Sequence, residues 1–127
     1  MHHSRLVTLC LDSRDGDMAE AARFWSHALG KPIVSTDQDG DGKYAELKTA
    51  PDELRVILQR VDHDSRVHLD IETDDLEAEA ARLEALGAKR IAFMHERWWV
   101  MQAPTGHRFC VVHMQGETFG PHLNRWD

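Results

Sequence analysis

Cysteine is almost missing from this chain: there are two, Cys10 and Cys110, each inside an apolar run and neither part of a C-x-x-C pair. A disulfide framework, a zinc knuckle and a dithiol redox motif are therefore not indicated, and both thiols read as reduced. Basic residues are also in deficit, 15 Lys and Arg against 22 Asp and Glu, which gives a net charge of −7. They stand singly, so the clustered cations that displace counterions from nucleic acid are lacking and no nucleic-acid partner is expected. No run approaches the roughly 20 apolar residues needed to span a bilayer. The opening Met1-His2-His3-Ser4-Arg5 lacks the apolar core of a signal peptide. The expectation is a cytoplasmic protein with no membrane partner. Long polar tracts are missing too: with 42% hydrophobic residues in 127, the chain can bury the core of one domain.

What is present is a repeat. Val7-Thr8-Leu9-Cys10-Leu11-Asp12 and Val67-His68-Leu69-Asp70-Ile71-Glu72 are strand-like runs 60 residues apart, each followed by an acidic turn. Then come Glu20-Ala21-Ala22-Arg23 and Glu79-Ala80-Ala81-Arg82, the same tetrapeptide at an offset of 59. Two halves that keep register across a strand, a turn and a helix point to a duplicated module.

Within each half the punctuation is similar. Asp15 or Asp17 can cap a helix over residues 18–29 that Gly30 stops, and Asp74 or Asp75 one over 76–86 that Gly87 stops. Ala22, Trp25, Ala28 and Leu29, and Leu76, Ala80, Leu83 and Leu86, give each helix one apolar stripe. Trp25 falls on that stripe and reads as core. Three strand-like runs follow each helix: 32–36, 43–49 and 54–61, then 89–93, 97–103 and 107–114, separated by Gly-, Pro- and Asp-bearing turns. The acidic segment 37–42 is superficially like a calcium loop, but it lacks the Glu and flanking helices of an EF-hand and reads as a hairpin turn. His2, His3, His63 and His122, in terminal or loop-like stretches, read as solvated.

The residues also resemble a family. Ala21-Ala22-Arg23-Phe24-Trp25 to Leu29-Gly30, Arg66 to Asp70 leading into Asp74 to Ala78, and Ala103-Pro104-Thr105-Gly106-His107-Arg108-Phe109-Cys110 are similar to the glyoxalase-like branch of the glyoxalase/bleomycin-resistance (vicinal oxygen chelate) superfamily. The resemblance implies an α+β fold in one domain, residues 1–127. Two βαβββ modules, about 6–61 and 66–114, join their sheets into an eight-stranded cup with one helix behind each half, and a tail runs over 115–127. It implies a homodimer, to which an exposed tail with Phe119 and Trp126 would contribute apolar area.

In metal-binding members the resemblance implies four ligands, from the first and last strand of each module. Carried over, these positions are Thr8, His68, Cys110 and one residue of 57–59, where Gln59 is the polar candidate. A neutral hydroxyl and one imidazole do not make a site for a hard or borderline divalent ion. The expectation is no cofactor and no metal.

Strand alternation puts Asp70 and Glu72 on the face of His68. A carboxylate raises the proton affinity of an imidazole, so His68 is the candidate catalytic residue, set against a histidine merely hydrogen-bonded in the barrel. Trp98 and Trp99 must point to opposite faces, one under a helix and one into the cup. Glu46 reads either as a spare carboxylate in the cup or as a solvated side chain. The candidate ligand-binding set is Thr8, Gln59, His68, Asp70, Trp99 and Cys110. Three functions compete: binding of a small organic molecule without a complete metal site, a lyase or isomerase acting through His68, and a non-catalytic docking domain.

Overall fold

The computed structural model describes residues 1–35 and 42–127; residues 36–41, which hold most of the expected acidic hairpin turn and the end of the strand before it, lie outside the described residues. The elements run β1 (His2–Ser13), α1 (Met18–Leu29), β2 (Ile33–Ser35), β3 (Tyr44–Leu47), β4 (Arg55–Arg60) and β5 (Arg66–Thr73). There follow α2 (Leu76–Ala85), β6 (Lys89–Met94), β7 (Trp98–Gln102), β8 (Arg108–His113) and β9 (Asn124–Trp126). The chain divides into two compact units, Thr8–Val67 and a second made of His68–Asp127 with Met1–Val7. The first seven residues thus belong with the second module, which the repeat did not reveal. The described residues form two helices and nine strands in an α+β arrangement, one strand more than the eight expected, and no described helix is long and apolar enough to cross a membrane.

In the unit Thr8–Val67 the strand order is β2-β3-β4-β1, with β1 parallel to β4 and the other pairs antiparallel. A parallel pair needs a crossover, and α1 lies within it. Asp17 starts the helix by accepting a 2.7 Å hydrogen bond from the Glu20 amide, and Gly30 ends it at φ 68°, where a side chain would be strained. Leu11, Ala45, Leu47 and Leu58 are buried on the helix-facing side of the strands against Met18 and Ala22, with Leu9, Val56 and Trp25 packed around them. Trp25 is core, as its place on the stripe predicts.

The second unit orders its strands β1-β5-β8-β7-β6, with β5 parallel to β8 and β9 added antiparallel to residues 2–4 of β1. Asp75 caps α2 through the Ala78 amide at 3.0 Å. Ala80, Leu83, Met101 and Val111 form its buried core, flanked by Ile71, Leu76, Trp99 and Phe109. The modules keep equivalent registers: Ser13 O accepts from Val61 N and Thr73 O from Met114 N, each at 3.0 Å. Thr8 and His68 each lie five residues before that carbonyl, so they occupy equivalent positions.

Two terminal expectations are corrected. His2 and His3 are not loop residues, because β1 begins at His2. His2 is 8% exposed, and its Nε2 lies 2.8 Å from Glu79 Oε1; His3 binds Asp74 through its amide and its ring, both at 2.8 Å. The tail is not patternless: Trp126 on β9 donates from Nε1 to Ser4 Oγ at 2.8 Å, and Arg82 stacks on its ring at 3.8 Å. Phe119 lies 6.1 Å from the His3 ring. Both aromatic rings of the tail are half-buried against their own chain, which reduces the apolar area they expose.

Candidate functional site

The chemistry-bearing side chains of the second unit collect on the sheet face that α2 does not cover. Ile71, Phe109, Val111, Trp99 and Met101 turn toward α2, so alternation sends His68, Asp70 and Glu72 of β5 the other way. Register then aligns Cys110 with Asp70 and Val112 with Glu72 on β8, and Val100 with Cys110, Trp98 with Val112 and Gln102 with Arg108 on β7. With the β5–β8 register continued one step back from Leu69 and Phe109, the face reads in three rungs: His68, Arg108 and Gln102; Asp70, Cys110 and Val100; Glu72, Val112 and Trp98.

His68 and Asp70 make the central contact. Their Nε2 and Oδ1 atoms are 3.3 Å apart, and their side chains are 12% and 16% exposed. A carboxylate at that distance is an ion-pair partner for the ring whenever the ring is protonated, and imidazoles beside a carboxylate serve as anchors or proton carriers. In the third rung Glu72 is held by Arg5 Nε, and Arg5 Nη1 reaches Pro121 O at 2.9 Å, so this carboxylate is structural. In the first, Arg108 donates from Nε to Gln102 Oε1 at 3.0 Å.

The tryptophan on this face is Trp98. Trp99, named from sequence as a ligand contact, pairs in register with buried Val111 and packs under α2, 4.8 Å from the Phe93 ring and 4.9 Å from the Arg90 guanidinium. The sequence showed that the two differ in direction but not which was which, because only the hydrogen-bond register sets the phase. Trp98 lies two rungs from His68, about 13 Å along the strands at some 3.3 Å per residue. It walls the far end of the face rather than standing beside the histidine.

The unit Thr8–Val67 has an equivalent face, turned away from α1, with different chemistry. Thr8, Cys10 and Asp12 share it, 2%, 4% and 5% exposed, with Ile57 and Gln59 in register beside Cys10 and Asp12. Gln59 Nε2 is 3.4 Å from Tyr44 Oη. Glu46 is neither spare nor solvated, since Arg55 grips both its oxygens at 3.0 Å. The position equivalent to Cys110 is Ile57, not Gln59, because Cys10 pairs with Ile57 as Asp70 pairs with Cys110. The four places implied for a metal are then Thr8, Ile57, His68 and Cys110. An aliphatic side chain offers no donor and a neutral hydroxyl a poor one, so this set does not fit a divalent ion.

The β6–β7 turn sits at the Trp98 end, where the His95 ring lies 5.4 Å from the indole. Its two central residues, His95 and Glu96, hold φ values of 50° and 56°, a type I′ geometry closed by Arg97 N to Met94 O at 2.8 Å. Left-handed backbone costs a residue with a Cβ roughly 1–2 kcal/mol, and Asn-Gly is the sequence such turns prefer. Replacing His95-Glu96 by Asn-Gly should raise the unfolding free energy by about 1–2 kcal/mol in urea melts. No gain would show that the ring contact with Trp98 offsets the strain.

A model of the glyoxalase-like domain matches residues 8–112 of this chain. No curated protein sequence is similar enough to match it. Among solved structures, the methylmalonyl-CoA epimerase of Mycobacterium tuberculosis superposes with a TM-score of 0.63 at 15% identity, covering 88% of this chain and 89% of the epimerase. A glyoxalase/bleomycin resistance protein/dioxygenase superfamily member from Vibrio splendidus 12B01 gives 0.55 at 16% identity over 87% and 99% of the two chains. The Mn(II)-bound glyoxalase of Novosphingobium aromaticivorans gives 0.58 at 20% identity, over 85% of this chain and 38% of that one. At these identities the likeness is one of fold.

Proposed function

Because the chain belongs to the glyoxalase-like domain family, we propose that it binds a small organic molecule on the face carrying His68, Asp70 and Cys110, without a metal on the family's four positions. The observation that carries this reading is the His68–Asp70 pair, 3.3 Å apart on a sheet face that α2 leaves uncovered. Ligand sites are mostly apolar surfaces with a few convergent polar groups, and here Val100, Val112 and Trp98 supply the first and the histidine pair the second.

A second reading, proton transfer at a carbon acid with His68 as the base, is favoured by the same pair. An imidazole oriented by a carboxylate is the common general base of enzymes. An epimerase among the similar structures supports considering it.

His68→Ala separates site from scaffold. If the imidazole anchors the ligand through a hydrogen bond to a charged group, typically about 1.5–3 kcal/mol, affinity for a hit from a fragment screen falls roughly 10- to 150-fold. The melting temperature should hardly move. A lowered melting temperature with unchanged affinity would make His68 a scaffold residue and remove the reading. Elemental analysis after dialysis against nickel, zinc or manganese should find less than about half an equivalent, given the donor set. A full equivalent surviving gel filtration would favour a metal enzyme instead.

A further inference from the structure

The structure describes five half-buried arginines: Arg5, Arg55, Arg82, Arg90 and Arg108. Four of them hold carboxylates. Arg5 pairs with Glu72, Arg55 with Glu46 and Arg82 with Glu79; Arg90 pairs with both Glu77 and Glu84. Arg108 alone has a neutral partner, the Gln102 amide oxygen on its Nε, and among the described residues no carboxylate contacts it. In a chain of net charge −7, with 22 acidic residues to draw on, that is an anomaly of position. Withdrawing a guanidinium from water without a counter-charge is costly, and the cost is recovered when an anion arrives.

Its place gives the anomaly a meaning. Arg108 alternates with Cys110 on β8, so both turn away from α2, whose side takes Phe109 and Val111. Leu69 and Phe109 are register partners, and one step back along these parallel strands come His68 and Arg108, at a strand spacing of about 4.8 Å. Asp70, one rung further on, is engaged by His68, and Glu72 beyond it by Arg5, so neither is the counter-ion of Arg108. With Nε fixed on Gln102, the two terminal nitrogens form the end of the fork, spaced to donate in parallel to both oxygens of a planar carboxylate.

We propose that Arg108, set by Gln102 beside His68, is the subsite for a carboxylate, and that the molecule bound on this face is a small organic acid. This rests on the reading of the His68 face as a binding site and names the chemistry that face selects. The acid group sits on the Arg108 rung, and the body of the ligand runs over Cys110 and Val100 toward Trp98.

The test uses matched pairs, benzoate with benzamide and 2-naphthoate with 2-naphthamide, titrated into the purified protein by ligand-observed NMR. Each acid should bind about 10-fold or more tightly than its amide, an advantage that shrinks as salt is raised. Arg108→Met should abolish the preference with the melting temperature unchanged, and Arg108→Lys, which keeps the charge but not the fork, should keep only part of it. Equal binding of acids and amides, both weakened by His68→Ala, would overturn the carboxylate subsite and leave the binding face standing. Acid binding indifferent to Arg108→Met would also overturn it. If neither acids nor amides bind, the subsite and the binding face fall together.

Discussion

Replacing Glu79 with alanine is expected to lower the unfolding free energy by about 3 kcal/mol, the low end of the range for breaking a buried ion pair, because Arg82 is still a quarter exposed. Glu79 has no exposed surface, yet it lies on α2 where both ends of the chain meet. Arg82 donates to both its oxygens at 2.8 Å, and His2 Nε2 lies at 2.8 Å. Ser4 and Arg82 in turn hold Trp126. Without the carboxylate, the Arg82 guanidinium and the His2 ring lose their shared partner. Hydrogen exchange should accordingly show residues 2–4 and 124–126 losing protection, while β7 and β8 keep theirs.

The same carboxylate sets a pH dependence. Burial pushes the Glu79 carboxyl up, but hydrogen bonds from Arg82, His2 and Ser4 outweigh it and hold the group below its ordinary 4.5. A carboxyl depressed in the folded state stabilises fully above its unfolded value, and that stability is lost as pH falls through the folded value. The deficit of Glu79→Ala against the natural chain should thus be full at neutral pH and narrow below about pH 4.5. Asp74 acts in the same direction: slight burial raises it, and the His3 amide and ring bring it below its usual value. A deficit constant into acid would show that the loss is one of packing rather than charge.

Trp99→Ala and Trp98→Ala, adjacent in sequence, should behave oppositely. Trp99 packs on the Ala80, Leu83, Met101 and Val111 core and lies beneath Arg90, so its loss should cost about 3 kcal/mol, toward the lower end for tryptophan because it is only half-buried. Trp98 lies on the uncovered face, and its removal should cost under about 1 kcal/mol while weakening ligands long enough to reach it. Urea melts of both variants decide the matter. Equal destabilisation would mean that Trp98 is also held in a packed environment.

Much of this was legible in the sequence because it depends on neighbours along the chain. The helix starts, offered by the sequence as Asp15 or Asp17 and Asp74 or Asp75 and made by Asp17 and Asp75, and the stop at Gly30 are local hydrogen-bond and dihedral requirements, written in one or two residues each. The internal repeat gave Thr8 and His68 equivalent positions in their modules, and alternation put Asp70 on the face of His68. The site was legible only in part. Gln59 was favoured because it is polar, whereas the residue matching Cys110 is Ile57. Arg108 was passed over, although alternation from Cys110 would have put it on the same face.

Composition, punctuation and the offset of 60 residues determined by themselves that this chain is a duplicated module of strands and helix, since periodicity and capping act over a few residues, and the motifs around residues 21–30, 66–78 and 103–110 carried the resemblance to the glyoxalase-like family. Tertiary structure alone decided three things: that Trp98 and not Trp99 lies on the face of His68, that residues 1–7 join the second unit, and that His2, Glu79, Arg82 and Trp126 form one connected cluster. Each turns on hydrogen-bond register or on contacts between residues as much as 122 positions apart. A shift of one residue in register reverses every side chain on a strand, and nothing local in the sequence sets that phase.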